Sequence, residues 1–234
     1  MRYQTIRLVA LLAILTAGAC ACPETSDRLR FERAISDTAV YKASSVLPLT
    51  PLSYPVEAAT LTNQAQWAEG REGQTITLER DAWITVEPEV KKLCQGRAAD
   101  TVIPLLHKLL GLKPVVSGDD AGRFVLMTIL GRQSVGPAAI GVFRPCADPD
   151  PQATSCGNSL KGPDSYARWF AQTLISSFKI DAKLSDTGYP WTRLGYTYNW
   201  DMAASSPRGV QEYVVPKGSK VLIRKIVLAQ DYCR

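Results

Sequence analysis

The chain contains one histidine in 234 residues, His107. Any catalytic triad or imidazole base would have to use it. It lies off the apolar stripe of Val102, Leu105, Leu106 and Leu109, where a surface position is the plainer reading. No two cysteines are spaced Cys-x-x-Cys, and a single His cannot complete a typical zinc site. Neither a metal nor a cofactor is therefore expected. The sequence has no Gly-x-Ser-x-Gly elbow, no P-loop and no dinucleotide fingerprint. It also lacks an internal repeat and the run of about 20 apolar residues that a membrane-spanning helix needs. Charge is nearly balanced, with a formal net of +5. Without the first nineteen residues, 25 basic side chains face 22 acidic ones, a net of +3. So small and dispersed an excess argues against nucleic acid as a partner.

What is present is clearest at the amino terminus. Arg2 and Arg7 precede the uncharged apolar stretch Leu8 to Ala19, which is too short to span a bilayer and ends in small residues. That is the grammar of a secretory signal peptide over residues 1–19. Ala17-Gly18-Ala19-Cys20 resembles the lipobox of bacterial lipoproteins, in which the first mature residue is a lipid-bearing cysteine. The resemblance implies lipidation at Cys20 and a membrane anchor, and Ala21 after it implies an outer-membrane destination in the cell envelope. Ordinary signal-peptidase cleavage fits the same small residues and would leave a soluble periplasmic or secreted protein.

Beyond Cys20 and Cys22, four cysteines remain, and in an oxidising compartment two disulfides are the simplest reading. Four cysteines permit three pairings. Cys146–Cys156 would close a short polar loop, and Cys94–Cys233 would tie the chain end to the segment after Glu87-Pro88.

Residues 20–66 read as a tether or an irregular arm, with Arg28 to Ala34 a short helical piece and Pro48 to Pro55 extended. A single domain is expected over 67–234. Gln74–Leu78 and Trp83–Val86 are short β-branched segments expected to pair as a hairpin. The spacing predicts a helix from Asp100 to Leu110, starting late if Pro104 is to fall in its first turn. Arg123–Leu130 and Ala138–Arg144 read as two strands, and Asp164–Phe178 as an amphipathic helix. Glu212–Val215 and Lys220–Leu228 read as a closing hairpin. Together these give an α+β domain: a mainly antiparallel sheet of about seven short strands, two or three helices and two disulfides.

Two of the five Trp and three of the nine Tyr fall between Tyr189 and Trp200. From Thr192 to Trp200 the alternation predicts a half-buried central strand. Tyr189, Trp191 and Arg193 flank a Gly-x-Pro turn that would hold them toward a partner, either an envelope protein or a glycan. The carboxylate pairs Glu87/Glu89, Asp119/Asp120 and Asp148/Asp150 sit in Pro- or Gly-rich turns, where acids serve local hydrogen bonds. Gln211 to Val221 resembles the closing strand of secreted ADP-ribosyltransferases, which implies Glu212 as a catalytic acid and an upstream Arg that contacts a dinucleotide. Two functions follow as expectations. One is an exported, lipid-anchored envelope protein with a non-catalytic binding or structural role. The alternative is an exported enzyme with a carboxylate site.

Overall fold

A computed structural model describes residues 23–115, 122–139 and 141–234. Residues 1–19, Cys20, Cys22 and the pair Asp119/Asp120 lie outside the described residues. The strands are β1 (Val56–Thr62), β2 (Thr75–Thr77), β3 (Ala82–Val86), β4 (Arg123–Ile129), β5 (Tyr196–Tyr198), β6 (Arg208–Val215) and β7 (Lys220–Leu228). They form one sheet in the order β2-β7-β4-β1-β3-β6-β5, and every pairing is antiparallel. The helices are α1 (Pro23–Ala39), α2 (Glu89–Cys94), α3 (Ala99–Leu109), α4 (Asp164–Ser177) and α5 (Ala229–Tyr232). The α+β class is as expected, and so are both disulfides, Cys94–Cys233 and Cys146–Cys156.

A bent ribbon organises the sheet. Thr77 pairs with Lys220 and Ala82 with Val215, which is the same register on either side of a corner. At the corner Leu78 N–H donates to Ser219 O and Gly218 N–H to Leu78 O, each at 2.8 Å. Asp81 Oδ1 accepts from Lys217 N–H, also at 2.8 Å. The segments 74–78 and 83–86 are therefore two arms of one strand, and 212–215 and 220–228 two arms of its partner. Neither expected hairpin forms. A polar four-residue link looks like a hairpin turn in sequence, but here the opposite strand bends with it and keeps the hydrogen bonds. Beyond the corner β7 pairs with β4, β3 pairs with β1, and β1 joins β4. The sheet thus curls round until its two sides meet at the ribbon. Val56, Ala58, Ile84, Met127, Tyr213 and Ile223 pack in its interior. Val90, Cys94, Val102 and Leu106 of α2 and α3 cover part of the outer face, with Tyr232 stacked on Phe124 at 3.8 Å.

Four further differences from the sequence reading have physical causes. Val56–Thr62, within the expected tether or arm, is instead a central strand paired along its length with β4. Its two alanines point to opposite faces and its threonines are polar, so neither face carries much hydrophobic signal. The Pro-rich stretch before it packs on the domain. Leu49 and Leu52 are buried, and their N–H groups donate to Thr154 O and Pro151 O. Tyr196–Tyr198 is an edge strand, because Arg193 and Gly195 take φ of 59° and 80° and break the extended run. Residues 138–144 contribute a single bridge, Phe143 to Val214. Pro104 lies inside α3, where the lost bond would have gone to the carbonyl of Asp100, an exposed residue that water serves.

The disulfides span 139 and 10 residues. Loop-closure entropy assigns roughly 5 kcal/mol to the long link and roughly 3 to the short one. Urea unfolding of the paired Cys→Ser variants should show the larger loss for Cys94/Cys233. The opposite ranking would mean that native packing, rather than loop length, sets their contributions.

Candidate functional site

Val210, Glu212 and Val214 alternate onto the outer face of β6. The two valines are fully buried, one under the α3 layer and the other under Phe143 and Tyr166. A carboxyl group thus occupies the middle of an apolar stripe. Glu212 pairs across the sheet with Thr85, Thr85 with Ala59, and Ala59 with Leu126. Ala59 and Thr85 are short, so the sheet surface next to Glu212 is low. Larger side chains flank that depression: Trp83, Leu61 and Phe124 belong to the neighbouring positions of the same strands.

The walls come from two helices and one loop. α4 presents Tyr166, Trp169, Phe170 and Thr173 toward the sheet, as its helical spacing predicts, and Trp169, Thr173, Ser176 and Ser177 line the space above Glu212. Leu110–Leu112, just past the end of α3, close a second side. Tyr189, Pro190 and Trp191 close the third. They are placed by Gly188, whose N–H donates to Lys179 O at 2.7 Å. A Cβ on Gly188 would lie 2.2 Å from Ser177 O, so only glycine lets this loop sit directly on the end of α4. Tyr189 N–H then donates to Ser177 O at 2.8 Å. The indoles of Trp83, Trp169 and Trp191 meet pairwise with centroids 6.1–6.2 Å apart, forming one continuous aromatic corner. The enclosed space is about 530 Å³, within the range of small-ligand sites, and an adjoining cleft shares Thr60, Leu61, Asp81, Trp83 and Tyr189.

Glu212 is 7% exposed, and its Oε1 has no hydrogen-bond partner. Burial pushes its pKa up to about 8, with no cation to offset the desolvation. At neutral pH the free protein therefore holds mostly a neutral acid here, able to donate or accept. Several other polar side chains around the cavity are engaged. Asp81 Oδ2 accepts from Trp169 Nε1 at 3.1 Å, Thr173 Oγ1 donates to Trp169 O, and Thr197 Oγ1 donates to Leu109 O. Trp191 Nε1 donates to Pro145 O, and Tyr198 Oη to Asp37 Oδ2. Two carboxyls that divide acid and base roles stand roughly 5–10 Å apart. Asp81 precedes Ala82, whose partner is Val215, so its backbone lies four positions, roughly 13 Å, along the ribbon from the rung of Glu212. Asp81 is spent on holding Trp169 and the corner.

The residues singled out from sequence are divided by the fold. Tyr189 is 45% exposed at the cavity mouth, with Lys113 Nζ 4.9 Å from its ring centre. Trp191, expected to stand out toward a partner, is 4% exposed and forms an inner wall, so its removal would disturb packing. Arg193 lies away from the cavity: its Nη2 donates to Thr38 O at 2.7 Å and Ala39 O at 3.2 Å, pinning the end of α1. His107 sits half-buried on α3 with Nδ1 2.7 Å from Lys113 O. Glu87 accepts from Tyr232 Oη, Glu89 accepts from Gln211 N–H where β3 ends, and Asp148 pairs with Lys161. Among the described residues no arginine lines the cavity itself, while Arg71 and Arg80 line the adjoining cleft. Sequence reasoning missed Trp83, Trp169 and Thr173 as site residues, although the α4 stripe was the available signal. It also missed Arg144, fully buried with its guanidinium 4.6 Å from the Tyr213 ring centre and Nη2 donating to Thr50 O. Comparison with protein-family models, curated proteins and solved structures finds no match.

Because the folded state raises the pKa of an acid, it binds the Glu212 proton more tightly than the unfolded chain does. That stability is fully present below the unfolded value near 4.5 and is lost as pH rises toward 8. Glu212→Leu should therefore be more stable than wild type in urea unfolding. The gap should widen by on the order of 4 kcal/mol between pH 4.5 and pH 9. A gap that does not change with pH would mean the carboxyl reaches water.

Proposed function

We propose that this chain is an exported envelope protein whose domain binds a small ligand in the cavity above Glu212. The observation that carries the reading is a buried glutamate, its Oε1 enclosed without a hydrogen-bond partner, that lines an aromatic-walled space of about 530 Å³. A buried polar atom without a partner costs roughly 1–3 kcal/mol, and a leucine in the Val210–Val214 stripe would avoid that cost. A bound molecule that pairs with the carboxyl from the cavity side accounts for the glutamate. Trp83 and Tyr189, 38% and 45% exposed, lie at the mouth, where they would meet an incoming ligand.

The neutral dye N-phenyl-1-naphthylamine tests for an accessible apolar cavity. It should brighten on binding with one-to-one stoichiometry. Thr173→Trp, which places an indole in the opening, should reduce its affinity at least tenfold while leaving the circular dichroism unchanged. Equal binding to both proteins would place the dye elsewhere and remove the support for this site.

Export and anchoring belong to the same proposal. They rest on the signal-like residues 1–19 and on Cys20, and the two disulfides favour an oxidising compartment. Among the described residues no helix is long and apolar enough to cross a membrane. A lipid on Cys20 would hold the domain at the membrane surface, with several acyl chains giving a stable anchor. Metabolic labelling with a palmitate analogue should mark the wild type and spare Cys20→Ala. Equal labelling of the two would refute lipidation at that residue.

A further inference from the structure

We propose that the ligand is an organic ammonium ion, a primary or secondary amine on an apolar body, whose N–H groups meet Glu212 while its body lies against Trp83, Trp169 and Trp191. The inference rests on the cavity being a binding site and adds the chemical class of what it takes.

Three observations point the same way. First, Asp81, Thr173, Trp191, Thr197 and Tyr198 already have hydrogen-bond partners within the protein, whereas the Glu212 carboxyl, the one buried acid of the lining, receives no hydrogen bond among the described residues. The polar group of the ligand is thus directed to a carboxyl, and a group that bonds a carboxylate in a dry site must donate. Second, the cavity offers that carboxylate no counter-cation of its own. The titratable side chains lining it are Glu212, Asp81, Tyr189 and Tyr198; α4 and the end of α3 contribute none, and β1 and β4 contribute only Ala59, Thr60, Leu61 and Phe124. A carboxylate buried among them gains most from a positive charge brought by the ligand. Third, the walls are π systems, whose faces attract cations. Tyr189 at the mouth already draws an ammonium, that of Lys113, to 4.9 Å from its ring centre. Lys113 is also bound to Ser185 O through its Nζ, so it is held at the rim. An anionic ligand would meet Asp81 and Glu212, and a neutral apolar one would leave Oε1 unsatisfied.

Binding must be linked to protons. Glu212 is mostly protonated below about pH 8, whereas an alkylammonium stays charged to about pH 10. Forming the ion pair at pH 6 therefore expels close to one proton into solvent. The observed affinity should fall roughly tenfold per pH unit below 8 and level off above it. Tyr198, pushed up to about 12, and Tyr189, also raised by burial, do not titrate in this window.

Tryptamine and tryptophol, which differ by an amine in place of a hydroxyl, separate the ideas in titration calorimetry at pH 6, 7 and 8.5. The expected result at pH 8.5 is at least tenfold tighter binding of tryptamine, with that preference shrinking toward pH 6 and with uptake of one proton by the buffer at pH 6. Glu212→Gln should abolish both the preference and the pH dependence while still binding tryptophol, which shows that its cavity is intact. Equal binding of the two compounds to the wild type overturns the ammonium assignment and leaves the cavity reading standing. A tryptamine preference that survives Glu212→Gln also overturns the assignment. Binding of neither compound to the wild type overturns both readings.

Discussion

The corner in the β2–β3 and β6–β7 ribbon is the constraint on which the rest of this structure depends. Because Thr77–Lys220 and Ala82–Val215 share one register, both strands must turn together, and the sheet on either side is carried round until it closes. Closure separates an interior of aliphatic side chains and Tyr213 from an outer face that helices must cover. Two helical layers do so: α2, α3 and α5, tied by Cys94–Cys233, and α4 with the aromatic loop before β5. They meet at one side, where Lys113 lies over the Tyr189 ring, and the gap left between them lies above Glu212. Asp81 joins the corner to the site directly, since one oxygen accepts from Lys217 N–H and the other from the indole of Trp169.

Two buried ionisable side chains of adjacent stretches are handled in opposite ways. Arg144, on the far side of β6 from Glu212, has acceptors for both of its Nη groups, while its Nε is buried without a partner. Thr50 O and Gln211 Oε1 take its N–H groups, and the Tyr213 ring lies beneath its guanidinium. It acts as a staple that fixes the Pro48–Leu52 arm and the disulfide loop to the domain. Desolvation lowers its pKa, but an arginine remains charged even so. Glu212 receives no such set of partners, and burial raises its proton affinity instead. The contrast matters for function. The fold supplies acceptors to most of one buried charge and no hydrogen bond, among the described residues, to the carboxyl of another that lines a cavity.

Much of the architecture was legible because short-range patterns were strong. The α4 stripe of Tyr166, Trp169, Phe170 and Thr173 marked a helix with one apolar face, and β4 read as a buried strand from its continuous apolar run. Cys146 and Cys156 bracket a short polar, proline-bearing loop, and closing so short a loop costs little chain entropy. What misled was local grammar with two meanings. Pro216–Ser219 has the residues of a hairpin turn, yet whether such a link is a turn or a corner depends on whether the opposite strand bends. Val56–Thr62 carries two alanines and two threonines, and its central place follows from its partners on both sides.

For the site, the sequence by itself determined the ingredients: aromatics concentrated at 189–200 and on α4, a glutamate in an otherwise apolar strand, one histidine, and four cysteines able to pair. It also determined which residues near Gly188 are rigid and large. Tertiary structure alone decided that Tyr189 and Trp191 belong to a cavity while Arg193 caps α1, and that Trp83, 86 residues before Trp169, completes the aromatic corner. It also decided that Glu212 is buried without a partner. The reason is that burial and hydrogen-bond satisfaction are properties of what surrounds a side chain. Here those surroundings come from seven separate stretches of chain, which only the closure of the sheet brings to one place.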